Sequence, residues 1–152
     1  MNIILHQPEI PANTGNIGRT CVATGTKLHL IKPLGFFVDD KSLKRAGMDY
    51  WHELDVQIYD SFDDFLSKNN NPKIFMVETK TEKLYTDVKY GANDFIMFGK
   101  ETTGILDEIL EKYSDTVVRI PMLEGTRSLN LSNAAAIVLF EALRQNGFGE
   151  LK

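Results

Sequence analysis

Short apolar runs alternate with segments of helical periodicity along the whole chain. The runs are rich in Ile, Val and Phe, and they predict β-strands at residues 3–5, 28–31, 56–59, 74–77, 95–98 and 117–120. They are continuous rather than alternating, which is typical of strands covered on both faces, as in a parallel sheet. With helical patterns between them, the order is βαβα. We therefore expect an α/β, parallel-sheet sandwich that forms a single domain over residues 1–152.

Polar residues and glycines predict where the helices begin and end. Asn13 with Thr14 is expected to cap a first helix that runs to Thr24, and the following Gly25 is expected to stop it. Ser61, with an aspartate three residues later, resembles a capping arrangement for a helix further along the chain.

The last predicted helix is apolar over most of its circumference. It begins at a cap on Ser132 or Asn133 and runs to Asn146, and residues 134–143 read AAAIVLFEAL. A helix that is apolar all round must be covered on every side. We expect a second copy of the chain to cover it. The alternative is that the helix threads the middle of its own fold.

Composition narrows the class of protein. The 152 residues include 17 Lys and Arg against 21 Asp and Glu, so the chain lacks the basic surplus of an indiscriminate nucleic-acid binder. The single cysteine, Cys21, cannot form an internal disulfide, and the three histidines are too scattered to indicate a metal site. No apolar run approaches the ~20 residues of a membrane helix. These features predict a soluble, cytoplasmic protein without a metal or a membrane partner.

Several common catalytic motifs are missing. The only G-x-G lies at residues 147–149, far from the first strand–helix turn where a dinucleotide-binding fingerprint belongs. Gly99-Lys100 has no glycine at the position that a P-loop requires, and no G-x-S-x-G elbow occurs. Ordinary hydride transfer, P-loop hydrolysis and α/β-hydrolase chemistry are therefore disfavoured.

Three polar, glycine-bearing segments follow predicted strands, where open α/β sheets bind ligands. They are residues 8–19, 98–104 and 120–133. In the first, Arg19 near a helix N-terminus indicates an anion site, although a capped turn with the arginine in water is the alternative. In the second, two glycines frame Glu101, which allows a close approach of the backbone to a ligand.

These segments resemble, in order, the three signature motifs of the SPOUT-class RNA ribose 2'-O-methyltransferases. The matching stretches read NTGNIGR at 13–19, FGKETTG at 98–104, and IPM at 120–122 with RSLNLSNA at 127–134. Residues 39–41 and 45–50, together with the short chain, most resemble the tRNA wobble-nucleotide (cytidine or uridine) enzymes of this class.

The resemblance implies a fold, an assembly and a cofactor. The C-terminal segment would pass through a loop to form a trefoil knot, and two copies would pack through the first and last helices. S-adenosylmethionine would bind among the knot loops, in contact with Val77, Gly99, Glu101, Ile120, Met122, Ser128 and Leu129.

The resemblance also implies a reaction, the transfer of a methyl group from S-adenosylmethionine to the ribose 2'-hydroxyl of the tRNA wobble nucleotide. Arg19 is the catalytic residue that the family motif marks. An arginine guanidinium does not give up its proton at neutral pH, so it is a poor proton acceptor. We therefore interpret Arg19 as a group that stabilises the developing alkoxide or orients a phosphate.

The tRNA substrate would have to be held by basic and aromatic side chains of the domain itself. The candidate phosphate contacts are Lys41, Lys44, Arg45 and Arg127. Tyr50 or Trp51 could stack on an unpaired base. Three alternatives stay open: a merely solvated basic helix face, a non-catalytic knotted dimer that binds RNA or nucleotide, and a ribosomal RNA substrate.

Overall fold

A computed structural model describes residues 1–39, 41–42 and 48–152. Its strands are β1 (Asn2–His6), β2 (Lys27–Ile31), β3 (Val56–Tyr59), β4 (Ile74–Val77), β5 (Phe95–Phe98) and β6 (Val117–Val118). They form one six-stranded sheet in the order β3-β2-β1-β5-β4-β6, and every pairing is parallel. The α-helices of the described residues are α1 (Pro11–Thr24), α2 (Phe62–Lys68), α3 (Asp107–Lys112) and α4 (Leu131–Gln145).

The apolar strands other than β3 are almost wholly buried because helices cover both faces of the sheet, whereas Gln57 and Ile58 of the edge strand β3 are exposed. Ile3 lies in a core cluster with side chains of α1 and α4, whereas its neighbour Ile4 lies in a second cluster with side chains of α2 and α3. Both are fully buried. The predicted parallel α/β sandwich is confirmed. β1 is one residue longer at each end than predicted, β2 begins one residue earlier, and β6 ends at Val118, two residues earlier than expected.

The first helix begins earlier than its polar residues predict. Pro11 is its first residue and Ile10 its N-cap, without a side-chain capping bond. Proline suits this position because its fixed φ is helical and no amide is needed there. The predicted cap at Asn13 is therefore wrong, whereas the predicted stop is confirmed, since Gly25 has the left-handed φ of 63°. The Ser61 cap is also confirmed, because its side chain accepts from the Asp64 amide.

The last helix is capped by Asn130, so the prediction of Ser132 or Asn133 as the cap is wrong. The Oδ1 atom of Asn130 accepts from the Ser132 amide at 2.9 Å and from the Asn133 amide at 3.4 Å. One face of α4 is buried in the core with α1 and β5. On the other face, Ile137 and Phe140 keep 37% and 47% of their surface exposed.

In the described part of the chain, no helix has the length and apolar character that a membrane crossing requires.

Candidate functional site

A cavity of about 400 Å³ lies at the carboxyl edge of the sheet, where β4, β5 and β6 end. Its walls come from residues 77–80, 98–104 and 128–131, together with Ile10, Asn13, Ile120, Met122 and Ala134. All seven residues predicted to contact the cofactor are among them. Parallel strands bring their carboxyl ends to one edge, and for this reason segments far apart in sequence meet here. The volume suits a small-molecule ligand.

Two glycines allow the loop at the end of β5, residues 98–104, to close on itself through backbone hydrogen bonds. The Lys100 amide donates to the Gly104 carbonyl at 3.1 Å, and the Gly104 amide donates back to Lys100 at 2.9 Å. A Cβ atom at Gly99 would lie 2.1 Å from the Gly104 carbonyl carbon, and Gly104 itself has a left-handed φ of 72°. Only glycine fits both positions. The loop therefore presents a rigid backbone to the cavity.

Glu101 fastens this loop to the beginning of α1. Its carboxylate accepts from the Glu9 amide at 2.8 Å, the Ile10 amide at 3.1 Å and the Asn13 side chain at 3.1 Å. A carboxylate at a helix N-terminus is favoured by the helix dipole and by charge-assisted hydrogen bonds. The anion site predicted at this helix start thus contains a carboxylate of the protein itself, and Glu101 also lines the cavity.

Two further contacts extend this arrangement across the site. Glu9 Oε2 accepts from the amide of Thr102 at 3.1 Å and from its hydroxyl at 2.8 Å. Asn13 Oδ1 accepts from the Asn130 side chain at 3.0 Å. Sequence reasoning assigned no role to Glu9 and Asn130, although both lie within the motif segments. A polar side chain beside a glycine-bearing loop is the signal that could have indicated them.

The segment of residues 120–130, which we call the open wall of the cavity, makes few backbone hydrogen bonds. Between residues 120 and 129, the only backbone amide that donates to another described backbone group is that of Thr126. Ile120, Met122 and Leu129 supply apolar side chains to the cavity. Unpaired amides and carbonyls can bind the edge of a purine, and apolar side chains can cover its faces. The residues present therefore fit S-adenosylmethionine.

Arg19 lies outside the described cavity, two turns into α1. Its guanidinium carbon is 5.0 Å from the centre of the Tyr50 ring, and Nη2 is 3.8 Å from Asp49 Oδ1. The side chain is 69% exposed. Arg19 follows Asn13 by six residues, which corresponds to about 9 Å along a helix. One chain alone therefore does not bring the predicted catalytic residue to the cavity wall.

The predicted RNA contacts have different outcomes. Lys41 and Arg127 are exposed. Lys44 and Arg45 lie outside the described residues. Tyr50 donates its hydroxyl to the Gly15 carbonyl, and burial raises the pKa of that hydroxyl.

Trp51, the other predicted stacking residue, packs against the core cluster around α1. The rings of Tyr50 and Trp51 therefore both have partners within the chain, and stacking of either ring on an unpaired base stays a prediction.

The histidines do not form a metal site with other described residues. Burial and the nearby Lys100 lower the pKa of His6 to about 4, and burial lowers the pKa of His29 to about 4 as well. Both imidazoles are thus neutral at pH 7. Among the residues that the structure describes, no three His, Cys, Asp or Glu side chains come close enough to hold a metal ion.

Comparison with known sequences identifies relatives along the full chain. The SpoU rRNA Methylase family matches residues 1–140. A tRNA (cytidine(34)-2'-O)-methyltransferase of Saccharophagus degradans is 48% identical, with 99% of each chain covered. The Escherichia coli protein of the same name is 44% identical, with 97% of this chain and 95% of that protein covered.

The similar solved structures are also RNA methyltransferases, like the sequence relatives. An RNA methyltransferase structure from Bacillus anthracis has a TM-score of 0.94 and 49% identity, with 99% and 97% of the two chains covered. A structure described as giving insights into "2-OH methylation of C/U34 on tRNA" has a TM-score of 0.89 and 39% identity, with 96% and 95% covered. An AdoMet-bound rRNA methyltransferase of Sinorhizobium meliloti has a TM-score of 0.80 and 26% identity, with 94% and 55% covered. The chain therefore belongs to the SpoU rRNA Methylase family.

Proposed function

We propose that the protein transfers a methyl group from S-adenosylmethionine to the ribose 2'-hydroxyl of the tRNA wobble nucleotide, a cytidine or a modified uridine. The observation that carries the proposal is the cavity at the carboxyl edge of the sheet, which all three motif segments line. Relatives named for methylation of cytidine 34 match nearly the whole chain at 44% and 48% identity, which supports this substrate.

The open wall (residues 120–130) and the closed wall (residues 98–104) have separate tasks in binding the cofactor. The free backbone groups of residues 120–129 bind the edge of its adenine, while Ile120, Met122 and Leu129 cover the faces. The compact loop beginning at Gly99 forms the part of the cavity wall that contacts the ribose. When bound, S-adenosylmethionine supplies a methyl group on a sulfonium, which needs no further activation. The protein must then align the acceptor hydroxyl and stabilise the oxygen as its proton leaves.

Arg19 performs this second task. Its guanidinium stabilises the alkoxide that develops on the 2'-oxygen, or orients the adjacent phosphate, and it remains protonated throughout. The hydroxyl proton leaves to another acceptor. An exposed side chain, 69% accessible in the single chain, supports a role toward a large external substrate.

The working unit is a homodimer in which α1 and α4 form the interface. Two observations support it: the apolar side chains of Ile137 and Phe140 are exposed on α4, and Arg19 is absent from the described cavity of its own chain. A second copy would cover Ile137 and Phe140 and would bring its own Arg19 to the cavity of the first chain. Sedimentation at micromolar concentration tests the dimer, and a purely monomeric protein would contradict it.

The C-terminal segment forms the trefoil knot that the resemblance implies. The supporting observation is the chain path, because β6 lies at the edge of the sheet while the next helix packs on α1 and β5 near its centre. The connecting residues 119–130 have to cross the carboxyl edge between them. We infer a cytoplasmic location from the tRNA substrate and from the free, buried Cys21.

The basic residues Lys41, Lys44, Arg45 and Arg127 contact tRNA phosphates. Exposure of Lys41 and Arg127 supports the assignment. Removing one phosphate-binding side chain should reduce the slope of log affinity against log salt by about 1. The double variant Lys41→Ala/Arg127→Ala should therefore bind tRNA with a slope lower by about 2. An unchanged slope would leave these side chains as solvated surface.

Incubation with labelled S-adenosylmethionine and total tRNA, followed by nuclease mapping, tests the proposed activity. Label is expected on the wobble ribose. Arg19→Ala should reduce turnover about 100-fold, the size of loss typical of a removed oxyanion donor, with cofactor affinity nearly unchanged. Label in ribosomal RNA alone would shift the substrate, absence of any label would favour a non-catalytic RNA-binding dimer, and equal loss of turnover and affinity would overturn the role of Arg19.

A further inference from the structure

We propose that Tyr50 and Asp49 are positioning residues that hold the Arg19 guanidinium in place for methyl transfer. The inference rests on the proposed role of Arg19. The Arg19 Cζ atom lies 5.0 Å from the centre of the Tyr50 ring, within the range of a cation–π contact. Its Nη2 atom lies 3.8 Å from Asp49 Oδ1. The two contacts come from adjacent residues and reach different parts of one guanidinium.

The Tyr50 ring is itself fixed against α1. Its hydroxyl donates to the Gly15 carbonyl, one turn before Arg19. A Cβ atom at Gly18 would lie 3.4 Å from Tyr50 Cε2 and 3.2 Å from Leu54 Cδ2, so the ring approaches the helix closely at that position.

Glycine is unfavourable inside a helix, and α1 contains two glycines three residues apart. Leu54 and the Tyr50 ring together leave little space for a larger residue at Gly18. Contacts with α1 therefore fix the position of the Tyr50 ring, and this position does not depend on Arg19.

Such a support matters because Arg19 has a long side chain on an exposed surface. An ion pair at 3.8 Å between two exposed groups contributes little by itself, and free rotation of the side chain opposes any fixed geometry. A cation–π contact with a fixed ring restricts the position of the guanidinium, while N–H donors that face away from the ring stay available. Tyr50 thus orients Arg19 without competing for the anion that Arg19 binds.

A double-mutant cycle separates positioning from a structural role. Single-turnover methylation rates are measured at saturating S-adenosylmethionine and tRNA for Arg19→Ala, Tyr50→Phe, Tyr50→Leu, and Tyr50→Leu combined with Arg19→Ala. Tyr50→Phe keeps the ring and should react within about twofold of the unsubstituted protein. Tyr50→Leu loses the ring and should react about fivefold more slowly, the factor that a cation–π contact is worth. In the Arg19→Ala background it should cause no further loss.

Asp49→Asn supplies an independent arm, because its side chain is 83% exposed and the exchange does not endanger folding. It should slow the reaction about twofold, and only when Arg19 is present. This arm decides the proposal if Tyr50→Leu fails to bind S-adenosylmethionine.

The outcomes separate a failure of the positioning role of Tyr50 and Asp49 from a failure of the proposed role of Arg19. If Arg19→Ala slows the reaction but the Tyr50 and Asp49 effects persist unchanged without Arg19, both residues are structural and the positioning role is overturned. Full activity of Tyr50→Leu has the same meaning. If Arg19→Ala itself reacts at the normal rate, the proposed function of Arg19 fails instead.

Discussion

The two loops that enclose the cavity are built in opposite ways. The first, residues 98–104, is closed by reciprocal backbone bonds and fastened to the start of α1 through Glu101 and Thr102. The second, residues 120–130, has few backbone bonds of its own, and its Leu123 side chain is 83% exposed. One wall of the cavity is therefore held by its own hydrogen bonds, and we expect the other to become ordered only when a ligand binds.

The difference has consequences for binding energy. A wall that is already ordered loses little conformational entropy when a ligand arrives, whereas ordering each residue of an open segment costs about 1–2 kcal/mol. The open wall, however, leaves its amides unpaired and its apolar side chains accessible. We therefore expect the closed wall to offer a fixed surface to a ligand and the open wall to gain hydrogen bonds when the ligand binds.

The largest expected effect comes from breaking the closed wall. Glu101→Ala removes the acceptor of two backbone amides and of Asn13, and we expect the free energy of unfolding to fall by about 3 kcal/mol. Glu101→Gln keeps part of the acceptor capacity and should lose less. Urea unfolding at pH 7 measures both.

Ser128→Ala, on the open wall, is the matched control for the Glu101 variants. Ser128 is exposed, so this exchange should change the free energy of unfolding by less than about 0.5 kcal/mol. Equal losses for Glu101→Ala and Ser128→Ala would remove the distinction between the two walls.

The sequence was sufficient for the sheet and for the lining of the cavity. Continuous apolar runs mark buried strands, and the rule that parallel strands end at one edge places residues as distant as Val77 and Leu129 together. The sheet needs only local patterns and a fold class, whereas the individual lining residues were predicted from the resemblance to the SPOUT-class motifs. Neither prediction requires knowledge of which side chains touch.

The polar contacts of the site could not be obtained in this way. Asn13 has the residue type of a helix cap, yet its side chain bonds to Asn130, 117 positions away. Glu101 bonds to amides 91 and 92 positions away. Local preference cannot separate a capping residue from one with a distant partner, because the same polar side chain can accept hydrogen bonds in either role. The same limit hid the support of Arg19 by Tyr50.

Hydrogen exchange sharpens the comparison directly. Adding saturating S-adenosylmethionine should slow amide exchange in residues 120–130 about tenfold or more, because unpaired amides acquire partners and the segment becomes ordered. Exchange in residues 99–104 should slow by less, since the amides of Lys100, Thr102 and Gly104 are already bonded. Mass spectrometry of peptides from the two segments measures both, with a β2 peptide as the internal reference. Uniform slowing of both walls would contradict the division.

The smallest expected effect lies at the junction of the two walls. Asn130 caps α4 through Oδ1 and donates to Asn13 through Nδ2, so it fastens the end of the open wall to the closed one. Asn130→Ala should lower the free energy of unfolding by about 1 kcal/mol, the usual cost of removing a helix cap.

Asn133→Ala is the matched control for the junction, because Asn133 is exposed in the first turn of the same helix and its side chain is not the cap. It should cost less than about 0.5 kcal/mol. If Asn133→Ala proved the more damaging of the two in urea unfolding, the helix would be capped where the sequence alone suggested. Asn130 would then be no more than a member of the open wall, and the closed wall would end at Asn13.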